Sequence, residues 1–359
     1  MFKAIKNFVY KNEKYLSPGA ITFGFIFDNL TLRRIDLWVE NFVIAFYLAL
    51  SLFSIFVLNF FHAGYLKHRY FRKTDAFLSI VLQFSFGALF SAFFIFYFRS
   101  SSIIASWSFL VLLIGLLIGN EFFRDKYKQL SFQLSIYFIL FFSYSVFLVP
   151  LVTKKIDDFS FIYSNVFSIS FILSILLILY KLFPKRLLLN IRSITVSIFF
   201  IIFTFNFFYY FNIIPPIPLS LKSAELVHSV KHNGGIYEIE YEKSIFPLGS
   251  KSKKRYSWVE GEPVYLFASI FAPTKISVEI FHKWYFFDET NSEWTLRSSI
   301  PYQVIGGRDG GYRGYSYKYS LQEGLWMVDI TNTRGQSLGS RKFRIVAVED
   351  TPDLTKEEW

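Results

Sequence analysis

The feature that most constrains this chain is a change of pattern near residue 213, where long apolar runs give way to short alternating segments. Residues 41–61, NFVIAFYLALSLFSIFVLNFF, contain no charged residue. About 20 apolar residues are what an α-helix needs to cross a bilayer. A chain that is 53% apolar and contains 47 phenylalanines is also unlike a soluble domain. We therefore predict a helical membrane domain over residues 41–213, preceded by an interfacial segment at 1–40.

Six apolar runs predict six spans, at residues 41–61, 76–98, 103–119, 130–152, 166–183 and 193–213. Residues 16–30, LSPGAITFGFIFDNL, suggest a seventh, re-entrant element, because Pro18 and Gly19 interrupt them too much for an ordinary span. The middles of the six spans lack Asp, Glu, Lys, Arg and His. Ion-coupled transporters keep such residues inside the bilayer, so this class is disfavoured.

The middles of the predicted spans contain a few polar residues, mainly two glutamines and one asparagine besides scattered Ser and Thr. Gln83, Gln133 and Asn206 are expected to form hydrogen bonds between helices, as polar side chains in spans commonly do.

The net charge of +11 comes entirely from the predicted membrane part. Residues 1–221 hold 20 basic and 9 acidic residues, whereas residues 222–359 hold 18 of each. Charge that flanks spans does not form a basic stripe on a folded domain, so we expect no nucleic-acid partner. The chain also has no cysteine, which excludes disulfides, thiolate metal ligands and a cysteine nucleophile. We predict no metal site and no cofactor.

The basic residues also predict an orientation. The first, third and fifth connections hold eleven Lys and Arg, whereas the second and fourth hold three. The positive-inside rule then places the C-terminal domain outside the cytoplasm. The six basic residues of the N-terminal tail oppose this orientation, because six spans place both termini on one side.

Beyond residue 213 the sequence predicts a Pro-rich linker at 214–222, a β-domain at 223–349 and an acidic tail at 350–359. YEIEYEK, KISVEI, WMVDI and KFRIVAV alternate apolar and polar residues, as half-buried strands do. Turn signals between such segments predict roughly eight strands in an Ig-like antiparallel sandwich. The glycine-rich stretch GGRDGGYRGYSYKYS, residues 306–320, leads into the alternating strand YSYKYS. Since no helix follows these glycines, they predict a strand connection rather than a phosphate-binding loop.

Several segments together resemble a known family. GEPVYLFASI, HKWYF, IGGRDGGYRGYSYKYS, GLWMVDI and GQSLGSRKFRI are similar to the domain of unknown function 2914, over about residues 223–348. Their most specific short elements are Gly-Tyr-Arg, His-x-Trp and Gly-x-Trp. The resemblance implies a multi-pass bacterial inner-membrane protein, and it supplies no activity that can be transferred.

Two sets of residues are candidate sites. Arginine and aromatic side chains together suit carboxylates, phosphates or sugar rings, which makes a ligand platform at the end of the sheet one hypothesis. Its members are His282, Trp284, Arg308, Tyr312 and Arg313. The alternative for His282 and Trp284 is the buried core, because they continue the face of Ile276, Val278 and Ile280.

The second set is a charged cluster at the membrane edge, formed by Asp28, Arg33, Arg34 and Asp36. Charges that pair locally on an interfacial helix are the alternative there.

We therefore expect a membrane-anchored binding module rather than an enzyme. Its partners would be the lipid bilayer and an envelope polymer or a protein. The competing hypothesis is a membrane-edge enzyme or passive transporter that uses the charged cluster, with the β-domain as a lid.

Overall fold

The structure is a computed structural model that describes residues 24–32, 34, 36–63, 71–100, 102–242, 255–308, 310–319 and 321–359. The chain divides into two compact units. The helical unit comprises Met1–Phe98, Ser108–Thr153 and Asp157–Ile213. The sheet unit comprises Arg99–Trp107, Lys154–Ile156 and Ile214–Trp359, so it includes two short pieces from the helical part of the sequence.

The N-terminal part is helical, as predicted. Its elements are α1 at residues 24–31, α2 Trp38–His62, α3 Phe71–Arg99, α4 Ile103–Phe122, a 3₁₀ helix Arg124–Lys128, α5 Leu130–Thr153, α6 Asp158–Leu182 and α7 Pro184–Tyr210. Five of these, α2, α3, α5, α6 and α7, are long and apolar enough to cross a membrane by length and composition. The apolar part of α4 is shorter, Ala105–Asn120. The count of six spans therefore stays a prediction, and residues 16–23 of the predicted re-entrant element lie outside the described residues.

Two helices begin well before the predicted spans. Helix α6 begins at Asp158 rather than at residue 166, because the Asp157 carboxylate accepts a hydrogen bond from the Ser160 backbone N–H at 2.8 Å and caps the first turn. Helix α7 begins at Pro184 rather than at residue 193. A proline is well suited to the first helical position, where its missing N–H costs nothing, so the predicted connection KLFPKRLLLNIR is almost entirely helical.

The predicted hydrogen bonds between helices are confirmed. The Asn59 side chain in α2 donates to Gln133 Oε1 in α5 at 3.0 Å. The Gln133 amide in turn donates to the Tyr127 carbonyl at 2.5 Å. In α7, Asn206 donates to Asn165 of α6 at 2.8 Å. Gln83 of α3 also bonds to the main chain of α4, donating to a carbonyl oxygen at 3.4 Å. These bonds satisfy polar groups that would be costly to leave unpaired in a lipid environment.

The sheet unit contains eleven strands among the described residues, rather than roughly eight. They are β1 Ser220–Val227, β2 Ser229–Asn233, β3 Ile236–Tyr241, β4 Arg255–Trp258, β5 Val264–Phe271, β6 Ser277–Asp288, β7 Glu293–Ile305, β8 Tyr312–Lys318, β9 Gly324–Asn332, β10 Ser337–Ala347 and β11 Thr355–Glu358. They form three sheets, with orders β1-β5-β8, β4-β10-β9-β6-β7 and β11-β3-β2. All neighbours are antiparallel except β10 and β4, which are parallel. The expectation of a purely antiparallel arrangement was therefore wrong for this pair, and the Ig-like topology stays a prediction.

Strand β5 explains why three sheets are present. Its sequence VYLFASIF is nearly continuous in apolar residues, and both of its faces are buried. Leu266, Ala268 and Ile270 point into the main core, which they share with residues of the five-stranded sheet. Phe267 points the other way, into a second cluster with Ile239. An uninterrupted apolar strand needs cover on both sides, and the sheet β11-β3-β2 provides the second cover.

The predicted linker and tail are both part of the sheet unit. Ile214, Ile217 and Leu219 are buried, so residues 214–219 pack rather than act as a spacer. In the predicted acidic tail, residues 355–358 form β11, which pairs with β3. Lys356 lies between two acids of β3, with its Nζ 3.1 Å from Glu240, and this pairing allows an acidic segment to join an acidic strand.

Candidate functional site

Strand β8 presents its small residues inward and its large residues outward. Gly314 and Ser316 are buried, whereas the exposed fractions of Tyr315 and Tyr317 are 37% and 48%. Tyr319, just beyond the strand, is 57% exposed. Among the described residues β8 pairs with β5 alone, so it forms an edge of its sheet. Alternate residues of a strand are about 7 Å apart, so the three rings form a row along this edge.

Two further tyrosines extend the row sideways. Tyr265 of β5 is directly opposite Tyr317, with ring centroids 5.5 Å apart, and lies 6.1 Å from the Tyr315 ring. Tyr237 of β3 lies 6.5 Å from Tyr315. We call the surface formed by Tyr237, Tyr265, Tyr315, Tyr317 and Tyr319 the tyrosine face.

The third sheet explains why this face is only partly covered. Tyr237 and Trp359 lie over Phe267, with ring centroids 5.5 Å from it in both cases, and bury it completely. Tyr237 and Trp359 cover β5 at this point. Strand β8 is the next strand outward, so most of the area of its tyrosines stays uncovered. The result is a row of aromatic rings, each with a hydroxyl group, on the surface of the sheet unit.

Inside the sheet unit, the hydrogen bonds of Ser316 determine which face of β8 is buried. Ser316 Oγ accepts a hydrogen bond from the Trp284 indole at 3.1 Å and bonds to His282 Nδ1 at 2.8 Å. The Tyr302 hydroxyl bonds to the other ring nitrogen of His282 at 3.1 Å. Burial lowers the pKa of His282 to about 3, so the imidazole is neutral at physiological pH. A β-carbon on Gly314 would overlap the Tyr302 ring, so only a very small residue fits there.

His282 and Trp284 are therefore core residues, not members of a surface platform. Both side chains have 0% exposure, and they join the five-stranded sheet to the sheet β1-β5-β8 through Ser316. They continue the inward face of β6 because side chains alternate along a strand, which is the alternative that the sequence itself favoured.

The remaining residues of the predicted platform lie at the start of β8. The Arg308 guanidinium lies over the Tyr312 ring, 5.9 Å from its centroid. Tyr312 packs partly against the main core, whereas Arg313 is on the outward side, paired in register with Ser269. The pKa of Tyr237 is raised, by burial first and then by the neighbouring phenols, while Arg308 and Arg313 act to lower it. Both guanidinium groups therefore lie within electrostatic range of the tyrosine face, and we call them the arginine pair.

The glycine-rich connection is held in a fixed shape. The Ser269 hydroxyl donates to the Gly310 carbonyl at 2.5 Å, and the Gly311 N–H donates to the Arg308 carbonyl at 3.1 Å. Gly311 has a φ of 87°, a conformation that residues with a side chain rarely adopt. The connection leads from β7 directly into β8, so the prediction of a strand connection is confirmed.

Two of the four residues predicted to form a charged cluster at the membrane edge, Arg34 and Asp36, contact each other. Arg34 and Asp36 form a two-pronged salt bridge, with Nε–Oδ1 and Nη2–Oδ2 distances of 2.9 and 2.6 Å. Asp36 precedes α2 rather than lying on a helix, so the helical spacing assumed for it does not apply. Asp28 is on α1 and is partly buried, and Arg33 lies outside the described residues. The close pairing of Arg34 with Asp36 fits local charge compensation.

Sequence reasoning noted the alternation of Tyr315, Tyr317 and Tyr319 but did not treat these residues as a site. The signal was the run YSYKYS, in which three tyrosines share one face. No cluster of three or more His, Asp or Glu that could hold a metal ion is found in the part of the chain that the structure describes.

Comparison with known proteins gives one family. Residues 277–345 match the family described as "Protein of unknown function (DUF2914)", which confirms the resemblance for the C-terminal region over a shorter stretch than the motifs suggested. No curated protein sequence matches the chain. Among solved structures, the alkylpurine DNA glycosylase AlkC of Pseudomonas fluorescens bound to abasic DNA is 11% identical, with a TM-score of 0.19, covering 79% of this chain and 83% of that one. A likeness at this level carries no argument about fold or function.

Proposed function

We propose that this protein is a membrane-held, non-enzymatic binding module that recognises a polymer of the bacterial cell envelope through the tyrosine face. The observation that carries the proposal is the exposed row of Tyr315, Tyr317 and Tyr319 on an edge strand. Tyrosine and arginine are the residues most enriched among those that dominate binding energy at protein surfaces, and both are present here.

The shape of the tyrosine face favours a polymer over a small molecule. Small-molecule sites are concave and enclose most of their ligand. The row is instead an open strand surface, about 13 Å long from the first tyrosine to the third. A surface of this kind offers contact to a short stretch of an extended chain.

The chemistry of the row favours a carbohydrate polymer. Each tyrosine combines an apolar ring with a hydroxyl that donates and accepts hydrogen bonds. Sugar rings combine apolar C–H faces with hydroxyl groups in the same way. Stacking together with hydroxyl contacts is therefore available at each successive position, without the charge pattern that a specific protein partner would need.

The place of the sheet unit is part of the proposal. Five helices have the length and composition to cross a membrane, and we propose that α4 is the sixth span. The excess of basic residues in the first, third and fifth connections supports an orientation with the sheet unit outside the cytoplasm of an inner membrane. A reporter fused after Trp359, beyond β11, tests this orientation. Reporter activity typical of the cytoplasm would refute it.

The binding proposal is tested with the full chain in detergent micelles or nanodiscs. Retention on immobilised envelope polysaccharides is measured for the wild type and for Tyr315→Ala, Tyr317→Ala and Tyr319→Ala. We expect each substitution to weaken binding about thirtyfold, because truncating a residue that dominates an interface costs about 2 kcal/mol. The matched control is Tyr285→Ala, which removes a half-buried tyrosine from the outward side of β6.

The control separates loss of the face from loss of the fold. Tyr285→Ala should bind as the wild type does. If the wild type retains no glycan, or if the three row variants bind as the wild type does, the proposal is wrong.

A further inference from the structure

We infer that the arginine pair, Arg308 and Arg313, forms a subsite for the anionic groups of an acidic polysaccharide, either carboxylates or phosphates carried by the sugar chain. The inference rests on the proposed function and adds the charge class of the polymer. It is carried by three features of the described residues: an unsatisfied guanidinium nitrogen, a glycine that leaves this guanidinium accessible, and the continuity of the pair with the tyrosine face.

The first feature is the state of Arg313. Its Nε is buried and has no hydrogen-bond partner within the part of the chain that the structure describes. A buried donor that stays unpaired costs free energy, so Nε shows that the protein does not fully satisfy this guanidinium, whose Nη2 lies nearest to Gly310. The planar guanidinium also presents its donors as a fork that matches a carboxylate or phosphate with two parallel hydrogen bonds.

The second feature is Gly310. A β-carbon at this position would lie 3.9 Å from Arg313 Nη2, which is the nearest atom among the described residues other than those adjoining Gly310 in the chain. Gly310 does not have the positive φ of its neighbour Gly311, so its backbone conformation does not demand glycine. What the absent side chain provides is open space beside the guanidinium. The main chain at Gly310 is held to β5 by the hydrogen bond that its carbonyl accepts from Ser269.

The third feature is the position of the pair relative to the row. Arg313 and Tyr315 are on the same side of β8, two residues apart, and the row continues to Tyr319. An anionic group at Arg313 is therefore followed by aromatic rings at regular spacing in one direction. Two acids of the third sheet, Glu238 and Glu240, lie on its opposite face, where Lys356 pairs with both. Glu357 lies on the near face and accepts a hydrogen bond from the Tyr241 hydroxyl at 2.9 Å.

This continuity favours an acidic glycan over a phospholipid headgroup. A headgroup offers one phosphate and no extended polar body that could follow the row. A charged polysaccharide offers both the anion and the chain of sugar rings, so it uses the arginine pair and the tyrosine face together.

The experiment compares polymers of different charge on the full chain in nanodiscs made with neutral lipid. The probes are polygalacturonate for carboxylate, a phosphorylated mannan for phosphate, a neutral glucan of similar length, and vesicles containing phosphatidylglycerol. We expect the wild type to bind at least one anionic polymer at least tenfold more tightly than the neutral glucan. The preference should weaken as salt increases, since exposed charges are screened.

The variants isolate the subsite. Arg313→Gln removes the charge, and Arg313→Lys keeps the charge but removes the fork. Gly310→Asp places a carboxylate beside Arg313 and occupies the subsite internally, whereas Gly310→Asn has nearly the same size without the charge. We expect Gly310→Asp and Arg313→Gln to lower affinity for the anionic polymer to that for the neutral glucan. We expect Arg313→Lys to fall between, and Gly310→Asn, which fills the same space without the charge, to weaken binding less than Gly310→Asp does.

The outcomes separate this inference from the proposed function. If glycans bind through Tyr317 but the neutral glucan binds as tightly as the anionic polymers, or if Arg313→Gln keeps the preference, the subsite is wrong and the proposed function stands. If vesicles with phosphatidylglycerol bind while neither anionic polymer does, a lipid headgroup is the ligand and the inference is wrong. If no glycan binds at all, both fail.

Discussion

Lowering the pH from 8 to 5 should destabilise the sheet unit through His282. The imidazole is fully buried, and both of its nitrogens are bonded to neutral hydroxyl groups, those of Ser316 and Tyr302. Burial disfavours the charged form and lowers the pKa of His282 from 6.5 to about 3. In the unfolded chain the same side chain takes up a proton near pH 6.5.

The sign and size of the effect follow from this difference. Below pH 6.5 the unfolded state binds a proton that the folded state does not bind, so the free energy of unfolding falls as the pH falls. Between pH 8 and pH 5 the loss is about 2 kcal/mol, and it continues to grow until the pH approaches 3. With a urea slope of about 2 kcal/mol per molar, the midpoint of unfolding should move by about 1 M.

Tryptophan fluorescence measures the transition. Trp284 and Trp326 are buried in the main core, so their emission should shift when the sheet unit unfolds in urea. The matched variant is His282→Gln, whose amide offers hydrogen-bonding groups to the same hydroxyls and does not titrate. We expect the wild-type midpoint to fall between pH 8 and pH 5, and the variant's midpoint to fall by about 1 M less. Equal pH dependence in the two proteins would refute the assignment of a neutral, buried His282.

Two further substitutions test the packing of each unit. Gly314→Ala should destabilise the sheet unit by about 1–3 kcal/mol, because its β-carbon would overlap the Tyr302 ring. Urea unfolding measures this loss. The control is Gly310→Ala on the adjoining connection, which should unfold as the wild type does. Gln133→Leu should destabilise the helical unit by about 1–2 kcal/mol, because it removes the hydrogen bonds that join α5 to α2 and to the 3₁₀ helix. Thermal unfolding in detergent measures this loss, and Ser135→Ala, whose hydroxyl bonds only within α5 among the described residues, is the control. An equal midpoint for Gln133→Leu and Ser135→Ala would contradict the role given to this bond.

The sequence predicted the two-part organisation because each part carries a strong periodic signal. The apolar runs identified the helices, and the alternation in YEIEYEK and KFRIVAV identified β3 and β10. The missed strand β11, with the sequence TKEE, has no apolar residue to alternate. It pairs because Lys356 meets Glu240, and a contact between residues so far apart in sequence leaves no local pattern. The parallel pairing of β10 with β4 is likewise decided by tertiary packing.

The tyrosine face shows a different limit of sequence reasoning. Alternation in YSYKYS predicted that three tyrosines share a side, but hydrophobicity alone would place these large rings in the core. The three tyrosines face outward instead, because Trp284, His282 and Tyr302 already fill the space on the inner side of β8. Only glycine and serine fit against them, so the tyrosines turn outward. Residues on other strands therefore determine which side of β8 becomes the surface.

The short sequence elements that carry the family resemblance belong mainly to the core of the sheet unit. Of its three short elements, His-x-Trp and Gly-x-Trp place His282, Trp284 and Trp326 in the core. Gly-Tyr-Arg supplies the turn at Gly311 and brings Arg313 to the start of β8. These elements determine the frame of the sheet unit and the direction in which β8 faces. In the function that we propose, the ligand is selected by the residues that the frame leaves exposed. A related domain with a different row in place of Tyr315, Tyr317 and Tyr319 should then keep the fold and bind a different polymer.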